Sequence, residues 1–212
     1  MEPTEHNRRA WDEIHRQRAE ALAGERGLPT HVAGALADLK EKRVLHLQCG
    51  TGEATAQLAE LGGVVTGVDS SGAALEAARE RWPSILWVQA DPQALPGELR
   101  RGRFDLVYSG LGSLGAVRDL ESWLRGVAGT LRNGGDLLLY EEHPVALVVD
   151  GLMHWRESYF DPNSRRIGQI VTSAARSGFT VRALEEYPAR GDSWRRHDAR
   201  VPGTFLLYAQ RA

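Results

Sequence analysis

Apolar positions recur at two different spacings along this 212-residue chain, and each change of spacing marks a new element. Residues 7–22 set Trp11, Ile14, Ala19 and Leu22 into an otherwise charged stretch, the pattern of an amphipathic helix, which Gly24 and Gly27 close. Pro29, a good first-turn residue, opens a second helix over 29–39. Short apolar runs then alternate with helical segments. Strands are predicted at 43–48, 64–68, 85–89, 104–109 and 136–141, and helices at 54–61, 73–81 and 119–131. Beyond Pro144 the alternation weakens. A helix over 165–177 ends at Gly178, a C-cap residue, and two strands, 180–187 and 204–210, are joined by a polar loop that contains Trp194. Strands separated by helices require right-handed crossovers, so the core is a doubly wound α/β domain with a parallel sheet covered on both faces.

Composition narrows this picture without redirecting it. With 42% hydrophobic and 25% charged residues, the chain suits one ordinary globular domain, and neither a repeat nor a linker divides it. A single cysteine, Cys49, excludes an intramolecular disulfide. Residues 1–6 lack the basic stretch and apolar run of a signal peptide, and apolar runs such as 145–149 are far too short for a membrane span. A cytoplasmic location and no membrane partner are therefore expected. The formal charge of −2 offers no basic surface to nucleic acid, which makes a small molecule the expected partner. No paired-cysteine, His-x-x-His or Glu-x-x-His spacing points to a metal, and no Gly-x-Ser-x-Gly elbow points to a serine hydrolase.

The most informative stretch is His46-Leu47-Gln48-Cys49-Gly50-Thr51-Gly52-Glu53, at the turn from the first strand into a helix. Glycines there allow a sharp turn and a close approach of backbone to ligand. A dinucleotide-binding fingerprint wants a third glycine where Thr55 stands, which disfavours pyrophosphate binding. Asp69 closes the second strand, where a carboxylate can accept from both hydroxyls of a ribose, and Asp91 follows the third. Taken singly, each Asp is equally well a helix N-cap and each Gly an ordinary turn. Together, at the carboxyl edge of one sheet, they describe a nucleoside site.

Through HLQCGTGE, VTGVDSS, VQADPQALP, FDLVYSG and LRNGGDLLLYEEHP, in that order, the chain resembles the class I S-adenosylmethionine-dependent methyltransferases of the bacterial small-molecule type over roughly residues 7 to 211. The resemblance implies a Rossmann-like, mostly parallel seven-stranded sheet with an antiparallel C-terminal strand. It implies one methyltransferase domain over 1–212, with N-terminal lid helices in 1–40 and a short substrate cover in 143–165. It places Gln48, Cys49, Gly50 and Gly52 along the methionine part of S-adenosyl-L-methionine, Asp69 and Ser70 at the ribose, Asp91 and Pro92 at the adenine, and the Ser109 carbonyl near the ammonium. Trp11 falls on the lid.

For chemistry, methyl transfer from a sulfonium needs alignment above all, and needs a base only if the acceptor arrives protonated. His143, just beyond the fifth strand, is the candidate base, and shaping a turn with Pro144 is an equally good reading of it; Glu141 or Glu142 could orient the ring or face solvent, and strand alternation sends those two carboxylates to opposite faces. His154 and Tyr159, in the cover, and His15, one turn beyond Trp11, are the candidate substrate contacts. The function expected is methyl transfer to an oxygen or nitrogen of a small molecule. A non-catalytic S-adenosylmethionine or S-adenosylhomocysteine binding protein is the alternative, and an NAD-dependent oxidoreductase the third choice.

Overall fold

The computed structural model describes residues 27–36, 38–149, 153–162, 164–189 and 199–212. Seven strands form one sheet in the order β3-β2-β1-β4-β5-β7-β6. They are β1 (Arg43–Leu47), β2 (Val64–Asp69), β3 (Leu86–Gln89), β4 (Phe104–Ser109), β5 (Leu131–Glu142), β6 (Phe179–Pro188) and β7 (Pro202–Arg211). The pairings from β3 through β5 are parallel, and β7 runs antiparallel to both of its neighbours. Among the described residues six α-helices accompany them: α1 (Thr30–Ala35), α2 (Glu53–Glu60), α3 (Gly72–Arg81), α4 (Leu120–Thr130), α5 (Pro144–Val148) and α6 (Ile167–Arg176). The predicted helix over 7–22 lies outside the described residues.

Both faces of the sheet are buried, which explains why its strands read as unbroken apolar runs. Leu45, Leu47, Val107, Leu137, Leu139, Phe205 and Leu207 fill one core with Trp123 and Leu124 of α4 and Ile170 of α6. The residues between them in sequence, Val44, Leu106, Leu138, Tyr140 and Leu206, fill the other with Val32 of α1 and Leu58 of α2. Local capping agrees with these bounds. Ser71 Oγ accepts from Ala74 N at the start of α3, Asp119 accepts from Ser122 N at the start of α4, and Gly178 follows α6 at φ 89.

Three elements differ from the sequence pattern: α1 and β5 in their bounds, and α5, a short helix where no element is predicted. α1 is shorter than the predicted 29–39. β5 begins at Leu131, directly after α4, where Arg132-Asn133-Gly134-Gly135 reads as a loop. Phe104 pairs with Leu131 and Leu106 with Asp136, so the polar stretch bulges out of a strand that continues past it. Gly134 takes φ 70, and a Cβ on Gly135 would lie 2.9 Å from the Arg132 carbonyl. Among the described residues no helix is long and apolar enough to cross a membrane.

A third, small core joins Trp87 of β3 to Cys49, Leu75 and Ala78. The indole lies so close to the backbone that a Cβ on Gly67 would sit 2.4 Å from Cε3, and one on Gly52 2.6 Å from Cη2. Gly67→Ala is therefore expected to destabilise the fold by about 1–3 kcal/mol in urea unfolding, an overpacking cost. The same substitution should cost less in a Trp87→Leu background. Equal costs in the two backgrounds would show that the ring is not the obstacle.

Candidate active site

The chain order reverses at β1: β2 and β3 lie to one side of it and β4 and β5 to the other. Open α/β sheets form their ligand crevice at such a switch point, beyond the carboxyl ends of the strands. Leu47 and Ser109 are register partners there. The loop after β1 and the end of β4 are thus side by side.

That loop is strained in a specific way. Gln48 takes φ 55, in the left-handed region that favours glycine, and Gly50 and Gly52 follow at φ 54 and 90. The Gln48 Nε2 donates to the Ser113 carbonyl at 2.6 Å, while its Oε1 is buried without a partner. Ser109 is fully buried, and its Oγ has no partner either. Two buried oxygens without a partner thus lie at the switch point, one on the loop after β1 and one at the end of β4. Asp69 is 5% exposed; its Oδ2 accepts from Gly50 N at 2.8 Å and its Oδ1 from Ser71 N at 2.9 Å. Each carboxylate oxygen keeps a further lone pair.

The remaining predicted residues divide by position. Ser70 offers its carbonyl to Gln89 Nε2. Asp91 Oδ1 accepts from Gln93 N at 2.8 Å in a tight turn, and Pro92 beside it is buried. Cys49 is buried; desolvation and then the Asp69 carboxylate push its thiol up, the opposite of what a nucleophile needs. Gly52 faces the Trp87 ring, so packing against protein accounts for that glycine. Trp11 and His15 lie outside the described residues. His154 is exposed, and the Tyr159 hydroxyl accepts from Ile167 N, which ties it to the start of α6.

His143 shapes the turn into α5. It is 3% exposed and serves as the N-cap of α5, its Nδ1 accepting from Val145 N at 3.2 Å. A nitrogen that accepts carries no proton, so the proton of the neutral ring sits on Nε2. Nε2 lies 2.8 Å from Glu186 Oε1. The one lone pair of the neutral ring is committed to the backbone. Burial lowers the pKa of the ring, and Glu186 opposes that shift. Glu141 does not orient His143 either; it is buried and turns towards residues 112–114.

Ser113 and His46 escaped the sequence reading. Ser113 gave no motif. His46 had one available signal, a polar residue inside an apolar strand beside the glycine loop. Its Nδ1 contacts Thr55 Oγ1 at 2.7 Å, and its ring lies 4.9 Å from that of Tyr108.

Three comparisons bear on this site. A family model described as a methyltransferase domain matches residues 44–135. A methyltransferase of Synechocystis is 38% identical over 150 residues, covering 66% of this chain and 68% of its own length. A trans-aconitate 2-methyltransferase of Paracidovorax citrulli is 39% identical over 121 residues, covering 54% of this chain but only 45% of its own. The crystal structure of an S-adenosylmethionine-dependent methyltransferase from Mesorhizobium loti superposes with a TM-score of 0.68 at 26% identity, covering 84% of this chain and 95% of that one.

Burial holds the His46 pKa at about 3, down from its usual 6.5. Between those values the unfolded chain takes up a proton that the folded chain refuses. The stability owed to the neutral ring is complete above pH 6.5 and drains as pH falls towards 3, at about 1.4 kcal/mol per pH unit. From pH 7 to 5 the wild-type protein should lose about 2 kcal/mol more than His46→Asn in urea unfolding. Parallel losses in the two proteins would refute the assignment.

Proposed function

Since the chain belongs to the class I S-adenosylmethionine-dependent methyltransferases, we propose that it methylates an oxygen or nitrogen of a small molecule, in a site at the β1/β4 switch point. The observation that carries the reading is the meeting there of Asp69 with the unpartnered acceptors of Gln48 and Ser109.

Those groups fit the cofactor. Spare lone pairs on a buried carboxylate suit a ribose diol, and unfilled amide and hydroxyl oxygens suit the donors of an ammonium. Asp69 would hold the ribose beside Ser70, Gln48 and Ser109 the methionine end with Cys49 and Gly50 of the loop, and the turn at Asp91 and Pro92 the adenine. S-adenosylmethionine supplies a methyl group on a sulfonium, ready for in-line displacement. The part left to the protein is alignment and exclusion of water. With the His143 lone pair committed to Val145 N, acceptors that reach the site already nucleophilic suit it best. A small acceptor is supported by the relative named for trans-aconitate, a small organic acid, and by the short cover, of which His154 and Tyr159 are part. Trp11 and His15 would complete the lid, and 1–212 would act as one domain.

Calorimetry with S-adenosylmethionine, S-adenosylhomocysteine and NAD on wild type and Asp69→Ala tests the reading. The adenosyl ligands should bind wild type, and Asp69→Ala should weaken them roughly tenfold to a hundredfold, the worth of one or two hydrogen bonds to a charged group. Binding of NAD alone, or undiminished affinity in the variant, would overturn it.

A further inference from the structure

The loop after β4, residues 110–117, is gripped from three directions. From the end of β5, Glu141 Oε1 accepts from Gly112 N at 2.6 Å and from Glu142 N at 2.8 Å. Its Oε2 accepts from Leu114 N at 2.8 Å and from Ser113 Oγ at 3.2 Å. From the end of the cover, Arg165 donates to the carbonyls of Leu114 and Val117. From the glycine loop, Gln48 donates to the Ser113 carbonyl. One short loop thus meets the carboxyl end of the sheet, the cofactor side and the cover.

Burying a carboxylate to 5% exposure is costly unless donors surround it. Glu141 has four, three of them from the loop and the fourth the N–H of Glu142, so most of its acceptor capacity is spent on the loop. The geometry also asks for a carboxylate in particular. Glutamine could match the donors at one oxygen, but its NH2 group would then confront the Leu114 N–H.

We propose that Glu141 is a positioning residue for methyl transfer. Through Ser113 it fixes the Gln48 amide, and together with Arg165 it sets residues 110–117 as a common floor under cofactor and acceptor. The proposal rests on the cofactor reading above. It assigns Glu141 a role distinct from touching any substrate, and it makes Arg165 the strap that joins the cover to the cofactor side.

The test compares wild type, Glu141→Gln and Arg165→Ala by amide exchange of the 110–117 segment and by S-adenosylhomocysteine calorimetry from about pH 8 to 5. Burial pushes the Glu141 carboxyl up, and Glu142 adds to the shift; Arg165 and Tyr108 are the other charged or titratable groups that feel it. Wild-type affinity should therefore fall on acidification, as a protonated Glu141 loses an acceptor. Glu141→Gln should exchange faster in the segment, bind roughly tenfold more weakly at pH 8, and lose that pH dependence. Arg165→Ala, which leaves the sheet core untouched, should raise exchange and weaken binding in the same direction, and it carries the test if Glu141→Gln does not fold. Faster exchange with unchanged affinity and pH profile would reduce Glu141 to a buttress of the fold and overturn the proposal; so would unchanged exchange. Failure of wild type to bind would instead overturn the cofactor reading, and is told apart because the exchange comparison needs no ligand.

Discussion

The carboxyl edge of the sheet is held in shape by one buried carboxylate. Asp69 is nearly inaccessible, and an ionised group in that position is tolerated only when donors reach it. One donor is the Gly50 N–H, from the turn after β1; the other is the Ser71 N–H, from the turn after β2. Neither turn can shift without stripping an oxygen of its donor, at a cost of about 1–3 kcal/mol. The position of Gly50 in turn sets Gln48, whose amide reaches across the switch point to Ser113. One side chain thus ties the turn after β1 to the turn after β2 beside the crevice of the switch point.

Much of this could be read from the chain alone, because burial on both faces leaves a plain mark. Apolar runs such as 104–109 and 136–141 announced central strands, and Asp69 and Ser109 stood out as polar residues where such runs stop. The stretch at 131–135 misled because a Gly-Gly pair after Arg-Asn signals a turn equally well whether a strand has ended or is about to bulge. His143 left two roles open for a different reason. Its position beyond β5 was right, but its chemistry depends on which nitrogen carries the proton, and that is decided by the Val145 N–H and by Glu186, a residue of a strand far along the chain. For Glu141 and Glu142, alternation showed that they diverge without showing which one enters the interior.

The glycines near the site serve two masters. Gly50 gives its N–H to Asp69, a role tied to the crevice. Gly52 and Gly67 instead make room for the Trp87 indole, which lies over both. A glycine motif beside a ligand crevice can therefore be partly about a neighbouring aromatic ring. The Trp87 Nε1 donates to the Trp82 carbonyl, which fixes the ring in the position those glycines accommodate.

Among the described residues, the order of the strands leaves β3 and β6 at the two margins of the sheet, each with a row of backbone groups that no further described strand covers. Such margins invite another chain to add itself, and here they are blunted differently. β3 is only four residues long, and the Trp82-Pro83 pair just before it interrupts any longer template. β6 is ten residues long but carries Arg182, Glu185 and Glu186, charges that an incoming strand would have to strip of water. The sheet is thereby guarded against growing into a fibril at one end by brevity and at the other by charge.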